Sequence, residues 1–244
     1  MGQAPTSQSG ELAVEFAEVE RDAVLGDRMA WDAEFVEMPP ANQIPDLQPP
    51  CQTHPVLGID LSALAVDPLN RLNPGYFREL AEFEFVRRLF RRVRLVVRNV
   101  GQVAARNVRC ELEIPANIGV HVMHSSDFPD APKRRSSLLP PAALKGIKPA
   151  FGQRSGDVAI TKNDERYRIE IECGDLQPGR RVWSDVFYVG KAKSGELELA
   201  GQIYADNLPQ PEDFRLAISP AVTRTTMTID DLQNLSEPLD DDKE

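Results

Sequence analysis

Most of the side-chain chemistry that enzymes rely on is scarce in this sequence. Its 244 residues hold three cysteines, Cys51, Cys110 and Cys173, and three histidines, His54, His121 and His124. An odd cysteine count without a C-x-x-C pair argues against a disulfide framework and a zinc knuckle. No run of about 18 apolar residues is present, so no membrane helix is expected. The opening MGQAPTSQSGE lacks the basic and then apolar segments of a secretory leader. The expected location is cytoplasmic. No P-loop, G-x-S-x-G or H-E-x-x-H occurs, so neither a catalytic residue nor a cofactor is expected and the chain reads as a non-enzyme.

What is present is a β-rich pattern with an uneven charge. The hydrophobic share of 41% fits a globular chain, and 20 prolines against 15 glycines point to irregular connections. Of the formal net charge of −10, residues 1–70 contribute 12 acids and 2 bases, whereas residues 71–109 carry 10 arginines and 3 acids. A basic island thus sits in an acidic chain, which argues against a general nucleic-acid coat and leaves room for one local anion-binding patch.

The chain is organised around Arg91 to Ile114. Val93, Leu95 and Val97 alternate before a glycine-containing corner, and Val108, Cys110, Leu112 and Ile114 alternate after it, the pattern of two half-buried strands. Upstream, residues 1–10 read as a disordered tail, Leu12, Val14 and Phe16 as a short strand, and residues 17–72 as irregular, proline-punctuated chain. Asn73-Pro74 caps a helix near 74–90 whose apolar face includes Tyr76, Leu80, Phe83 and Phe90, closed by Arg87, Arg88, Arg91 and Arg92. Val120 and Val122 continue the alternation, residues 125–156 read as a long loop, and strands resume at Tyr167–Cys173, Val182–Gly190, Leu197–Ile203 and Phe214–Ile218, with a weaker one at 222–229. Residues 230–244 read as an acidic tail. The fold class expected is mainly β, a single two-sheet immunoglobulin-like sandwich over 11–229 with one packed helix and long irregular loops.

The run VRLVVRNVGQVAARNVRCELEI resembles the bacterial CARDB-like and related immunoglobulin-like sandwiches. Asn99, Gly101, Ala105, Asn107 and Val108 carry the likeness, together with the turn Leu176-Gln177-Pro178-Gly179. These positions are scaffold, so the resemblance implies fold and no chemistry. A looser resemblance, over residues 11–229, is to the β-rich C-terminal regions of bacterial AlbA/Schlafen-type DNA-binding proteins, through YFRELAEFEFVRRLFR, VRLVVRN and IYADNLPQP. The nucleotide-binding part of such proteins has no counterpart here, so this resemblance implies an accessory or sensing module.

Individual residues leave few candidates. Cys110 and Cys173 lie 63 residues apart, a spacing similar to an immunoglobulin bridge, but Trp183 follows the second cysteine and a reducing compartment favours two core thiols. His121 and His124, three apart on a strand, face opposite sides and suit no metal. Asp164, Glu165, Asp206 and Asp213 read as solvated turn residues. Arg87, Arg88, Arg91, Arg92, Arg94 and Arg98 form a candidate nucleic-acid or anion patch that Lys133, Arg134 and Arg135 extend; the competing reading pairs these arginines with the acidic N-terminal segment. The function expected is a non-catalytic interaction or regulatory module. Its partner would be another protein, encoded nearby in the same operon, held through the sandwich edge or long loop, with nucleic acid the alternative and no membrane association.

Overall fold

The computed structural model describes residues 11–48, 71–116, 119–136 and 154–235. In chain order the elements are β1 (Leu12–Ala17), β2 (Val24–Gly26), β3 (Arg28–Glu37), β4 (Arg71–Leu72), α1 (Tyr76–Leu89), β5 (Phe90–Asn99), β6 (Ala105–Pro115) and β7 (Val120–His124). After a single 3-10 turn at Ser125–Asp127 come β8 (Arg135–Ser136), β9 (Val158–Lys162), β10 (Arg166–Leu176), β11 (Arg181–Trp183), β12 (Phe187–Lys191), β13 (Leu197–Tyr204), β14 (Glu212–Thr226) and α2 (Ile229–Leu235).

The organising stretch becomes β5 and β6, and its corner carries the chain from one sheet to the other. The first sheet has the order β2-β1-β5-β12-β7, with β11 also on β5; the second has the order β3-β14-β13-β6-β10-β9. Thus β1, β5, β12 and β7 occupy the A, B, E and D positions of an immunoglobulin sandwich, and β14, β13 and β6 the G, F and C positions. The β9–β10 hairpin widens the second sheet beyond β6. The inward rows Val93, Leu95, Val97 and Cys110, Leu112, Ile114 are each at most 1% exposed and share one core with Phe16, Ile169, Ile171, Phe187 and Leu199. Burial of this kind stabilises by about 25 cal/mol per Å² of apolar surface removed from water.

One polar side chain lies inside the corner. Asn99 is 1% exposed. Its Nδ2 donates to the carbonyls of Val103 and Leu176, each at 2.8 Å, and its Oδ1 accepts from the Gly101 N–H at 3.0 Å. Its backbone N–H donates to the Arg180 carbonyl at 3.0 Å and its own carbonyl accepts from the Gly179 N–H at 2.9 Å. The corner and the Leu176–Gly179 turn are therefore joined through one residue.

A second joint interrupts the strand position shared by β11 and β12. The Ser184 N–H donates to the Leu95 carbonyl at 2.8 Å and the Leu95 N–H donates back to Ser184 Oγ at 2.9 Å, so the ladder of β5 continues across the gap. Asp185 donates to the Gly156 carbonyl at 2.7 Å, and a Cβ on Gly156, whose φ is +98°, would lie 2.3 Å from the Trp183 carbonyl oxygen. Only glycine fits there.

Several expectations give way. In place of a single domain over 11–229, the chain divides into two compact units, one of residues 1–35, 89–128 and 150–223 and one of residues 36–88, 129–149 and 224–244. The helix belongs to the second unit, where Tyr76, Phe77, Leu80 and Ala81 pack with Val36, Ile44, Met227 and Leu232. It ends at Leu89, so Arg91 and Arg92 stand on β5. Glu84 is buried, at 6% exposed, whereas Phe83, expected on the apolar face, is half-buried. The irregular reading of 17–72 misses β2 and β3. In β3, Met29 and Trp31 pack against the sandwich core and Val36 against the other core, and this change of parity hides the strand. Ala217 donates to the Asp27 carbonyl and Met227 to the Glu37 carbonyl, the same offset along both chains, so β3 runs parallel to β14.

The acidic tail from residue 230 begins instead as α2. Thr228 Oγ1 accepts from the Asp231 N–H at 3.1 Å and Asp231 Oδ2 accepts from the Thr228 N–H at 2.8 Å, a reciprocal cap of the kind that starts helices. Leu232 is then fully buried. In the expected long loop, β8 pairs with β4. The expected tails at 1–10 and 236–244, the proline-rich stretch at 49–70 and the loop centre at 137–153 lie outside the described residues.

Cys110 and Cys173 are free, buried thiols. Burial, then the Cys173 and Glu111 charges, push the Cys110 thiol well above its ordinary range, while burial and then Glu172 push Cys173 up to about 12. In a Cys51→Ser background, thiol reagents at pH 8 should modify the folded protein on the order of a thousandfold more slowly than an exposed cysteine. A mass loss of two hydrogens in native protein, showing a bridge, would contradict this. Asn99→Ala should lower unfolding free energy in urea by about 2–4 kcal/mol, because the Val103 and Leu176 carbonyls lose this donor while the Gly101 N–H keeps only the Glu11 carbonyl. A change within about 0.5 kcal/mol would show the corner is held otherwise.

Candidate functional site

The candidate arginines fall into both units. Arg91, Arg92, Arg94 and Arg98 stand on β5, and Arg87, Arg88, Lys133, Arg134 and Arg135 belong to the second unit. On β5 the polar parity holds: Val93, Leu95 and Val97 are buried while Arg92, Arg94 and Arg98 project from the other face. Antiparallel pairing with β1 sets Glu15 opposite Val96 and Ala17 opposite Arg94, so the acids of β1 and of the turn after it lie along the arginine row. Arg98 pairs with Glu15, Arg92 with Glu20, and Arg94 with Asp22 at 3.3 Å. Each of these three cations has an acid from the N-terminal segment, and the local charge is largely cancelled.

Two residues that sequence reasoning left out join this face. Trp183 has the Arg94 guanidinium 5.0 Å from its ring centroid and that of Arg181 at 5.3 Å, a stack that covers Val96. Arg91 donates to the Phe90 carbonyl at 2.9 Å.

In the second unit, Arg87 and Arg88 converge on one carboxylate. Glu84 accepts from Arg87 Nη2 at 2.7 Å and from Arg88 Nε at 2.9 Å. Burial pushes the Glu84 carboxyl up, but the two guanidinium hydrogen bonds outweigh it and hold the group below its ordinary value. The spacing Glu84-x-x-Arg87-Arg88 is the signal that foretells this clamp. The Lys133 carbonyl accepts from Asn73 Nδ2 at 3.3 Å, Arg134 lies 5.6 Å over the Tyr76 ring, and Arg135 is on β8.

Among the described residues, no group of three or more His, Cys, Asp and Glu side chains is placed to hold a metal ion. His121 stands on β7, where burial and then Lys162 lower its pKa. His124 Nδ1 accepts from the Ser126 N–H at 3.1 Å and caps the 3-10 turn. His54 lies outside the described residues.

The outer face of the second sheet is the other site with built geometry. Successive strands project Arg166, Arg168, Glu170 and Glu172 from β10, Arg109, Glu111 and Glu113 from β6, Glu198, Ala200, Gln202 and Tyr204 from β13, and Asp213 and Arg215 from β14. Many of these side chains are fixed before any partner arrives. Arg166 pairs with Glu113, Arg109 with Glu111 at 3.1 Å and Arg215 with Glu198 at 2.7 Å; Gln202 donates to Asp213 at 2.9 Å and accepts from the Tyr204 hydroxyl at 2.7 Å. The short side chain of Ala200 leaves a cleft of about 420 Å³ bordered by Glu113, Arg168 and Arg215. Beneath it, Gly201 has no Cβ because one would meet the Phe214 ring at 2.1 Å. Asp213, expected in a loop, is part of β14, whereas Asp164 and Glu165 sit in the β9–β10 turn and Asp206 in the β13–β14 loop.

No family model and no curated protein matches the chain. Solved structures with a similar arrangement include the C-terminal domain of the AgI/II polypeptide BspA of Streptococcus agalactiae, at 8% identity over 52% of this chain and 42% of that one, with a TM-score of 0.26. Others are the CooA pilin subunit of enterotoxigenic Escherichia coli, at 6% identity over 86% and 98% with a TM-score of 0.25, and a collagen-binding domain of a Staphylococcus aureus adhesin, at 8% over 52% and 87% with a TM-score of 0.25. The chain spans less than half the length of the BspA chain it matches. Scores of this size carry no functional content, and none of these likenesses supports the AlbA/Schlafen resemblance.

Proposed function

We propose that the chain is a non-catalytic interaction module that binds another protein, and that the outer face of the second sheet is the surface that does so. The supporting observation is the arrangement of that face: open strands with a cleft floored by Ala200 and rimmed by charged groups already held by ion pairs and hydrogen bonds. Side chains ordered in advance lose little entropy on docking, which favours recognition. The sandwich edges at β3 and β9, and the long loop of 125–156, are the secondary contact surfaces of this reading.

The kinship this reading favours is with the CARDB-like bacterial sandwiches, because the residues of that resemblance, Asn99, Gly101 and the Leu176–Gly179 turn, act together in one corner. The working picture is a cytoplasmic accessory module whose partner is encoded close by. Nucleic acid is disfavoured as the partner because Arg92, Arg94 and Arg98 each carry an acid of the chain's own.

The test is capture of partners from the native host by the full chain and by Arg215→Glu, with nuclease-treated controls. The reading predicts that protein is recovered by the wild type, that nuclease leaves it in place, and that Arg215→Glu recovers it at least about tenfold less well, the effect of losing about 1.4 kcal/mol. Recovery that vanishes with nuclease would overturn it. So would a short oligonucleotide that binds the chain more tightly than about 1 µM in low salt and weakens steeply as salt rises.

A further inference from the structure

The strand registers order the outer face of the second sheet into rows of opposite sign. One row runs Arg168, Glu113, Ala200, Arg215 across β10, β6, β13 and β14. The next row along the strands runs Glu170, Glu111, Gln202, Asp213 across the same four. The first row ends in arginine on both sides and the second in a carboxylate on both sides.

We infer that this face pairs with the same face of a second copy of the chain, about a two-fold axis that lies in the interface, parallel to the rows and midway between them. This rests on the reading of this face as an interaction surface and adds self-association to it. Such an axis lays each row over the other row of the second copy while keeping β10 over β10 and β14 over β14. Arg168 then meets the partner's Glu170, and Arg215 meets the partner's Asp213; by symmetry each contact occurs twice. A two-fold axis along the strands instead lays Arg168 over the partner's Arg215, like charge on like charge. The rows therefore select one of the two simple face-to-face arrangements.

Two features of the single chain support this pairing. Glu170 is half-buried and stands directly across from Glu111, a like-charge pair that costs stability, and among the described residues it has no cation of its own. A second copy supplies one. The same axis carries the partner's Gln202 over Ala200, so the longer side chain enters the cleft of about 420 Å³. The remaining like-charged meeting, Glu113 with the partner's Glu111, is eased because Glu113 already holds Arg166 and Glu111 already holds Arg109.

The size of the face suits a weak association. The four strands that carry the rows, about 4.8 Å apart and about eight residues long, cover about 500 Å² per copy, close to 1,000 Å² for the pair, the size of weak and transient interfaces. The inference expects a weak dimer, with a dissociation constant on the order of 10 µM that rises in high salt.

Sedimentation of the full chain between about 1 and 200 µM tests this. The wild type is expected to dimerise, and Arg168→Glu and Glu170→Arg alone are each expected to be at least about tenfold weaker, since each places like charges in register. Mixing the two variants should restore association, because both contacts then join opposite charges, and the double variant Arg168→Glu with Glu170→Arg should dimerise like the wild type. Circular dichroism melts establish that each variant folds. A wild type that is monomeric at the highest concentration, or variants that fail to rescue one another, overturns the inference. If the monomeric wild type still captures another protein and Arg168→Glu loses it, the interaction reading survives and the self-pairing falls; if capture is unchanged, the self-pairing and the assignment of binding to this face both fall.

Discussion

The carboxamide of Asn99 is the interaction on which the sandwich depends. It sits where β5 leaves the first sheet and the chain turns toward β6 in the second, at the end of the β1–β5 ladder. An unpaired buried carbonyl or N–H costs about 1–3 kcal/mol, and this one side chain satisfies two carbonyls and an N–H while its own backbone binds the Leu176–Gly179 turn. The turn feeds β11 back onto β5. The crossing between sheets and the return of the later strand are thus fixed at one point, and the inward rows on both sheets follow from that register.

The same logic explains why both faces of β5 were readable and why other segments were not. Val93, Leu95 and Val97 alternate cleanly because the strand has one core, and Arg92, Arg94 and Arg98 stand opposite for the same reason. The match of basic island to acidic segment was visible as charge, but the particular partners Glu15, Glu20 and Asp22 are set by the pairing of β1 with β5, a long-range contact that local pattern does not encode. β3 was missed because it serves two cores and changes parity between Trp31 and Val36. α2 is hidden because its acid content matches that of a solvated tail, although the Thr228–Asp231 cap that starts it is present in the sequence. Glu84 was missed because a buried carboxylate breaks the apolar stripe of α1, although its spacing to Arg87 and Arg88 was in plain view.

The candidate interaction face was hidden for a different reason. Each of its strands reads as ordinary polar alternation, and only the registers among β10, β6, β13 and β14 reveal that arginines fall in one row and acids in the next. Exposed ion pairs contribute little stability, about 0–1 kcal/mol each, so the order of this face owes little to folding, and under the proposed reading it serves specificity toward a docking partner. Arg92, Arg94 and Arg98 on the first sheet are committed to acids of the chain's own, whereas Glu170 has no such partner among the described residues.

The most direct test of that claim is geometric. In a Cys51→Ser background, Ala200→Cys and Gln202→Cys chains are mixed and treated with a thiol cross-linker of about 10 Å, the spacing of packed sheets. The row-over-row arrangement predicts that residue 200 of one chain links to residue 202 of the other in preference to either like pair. Equal yields of all three products, or none, would contradict it.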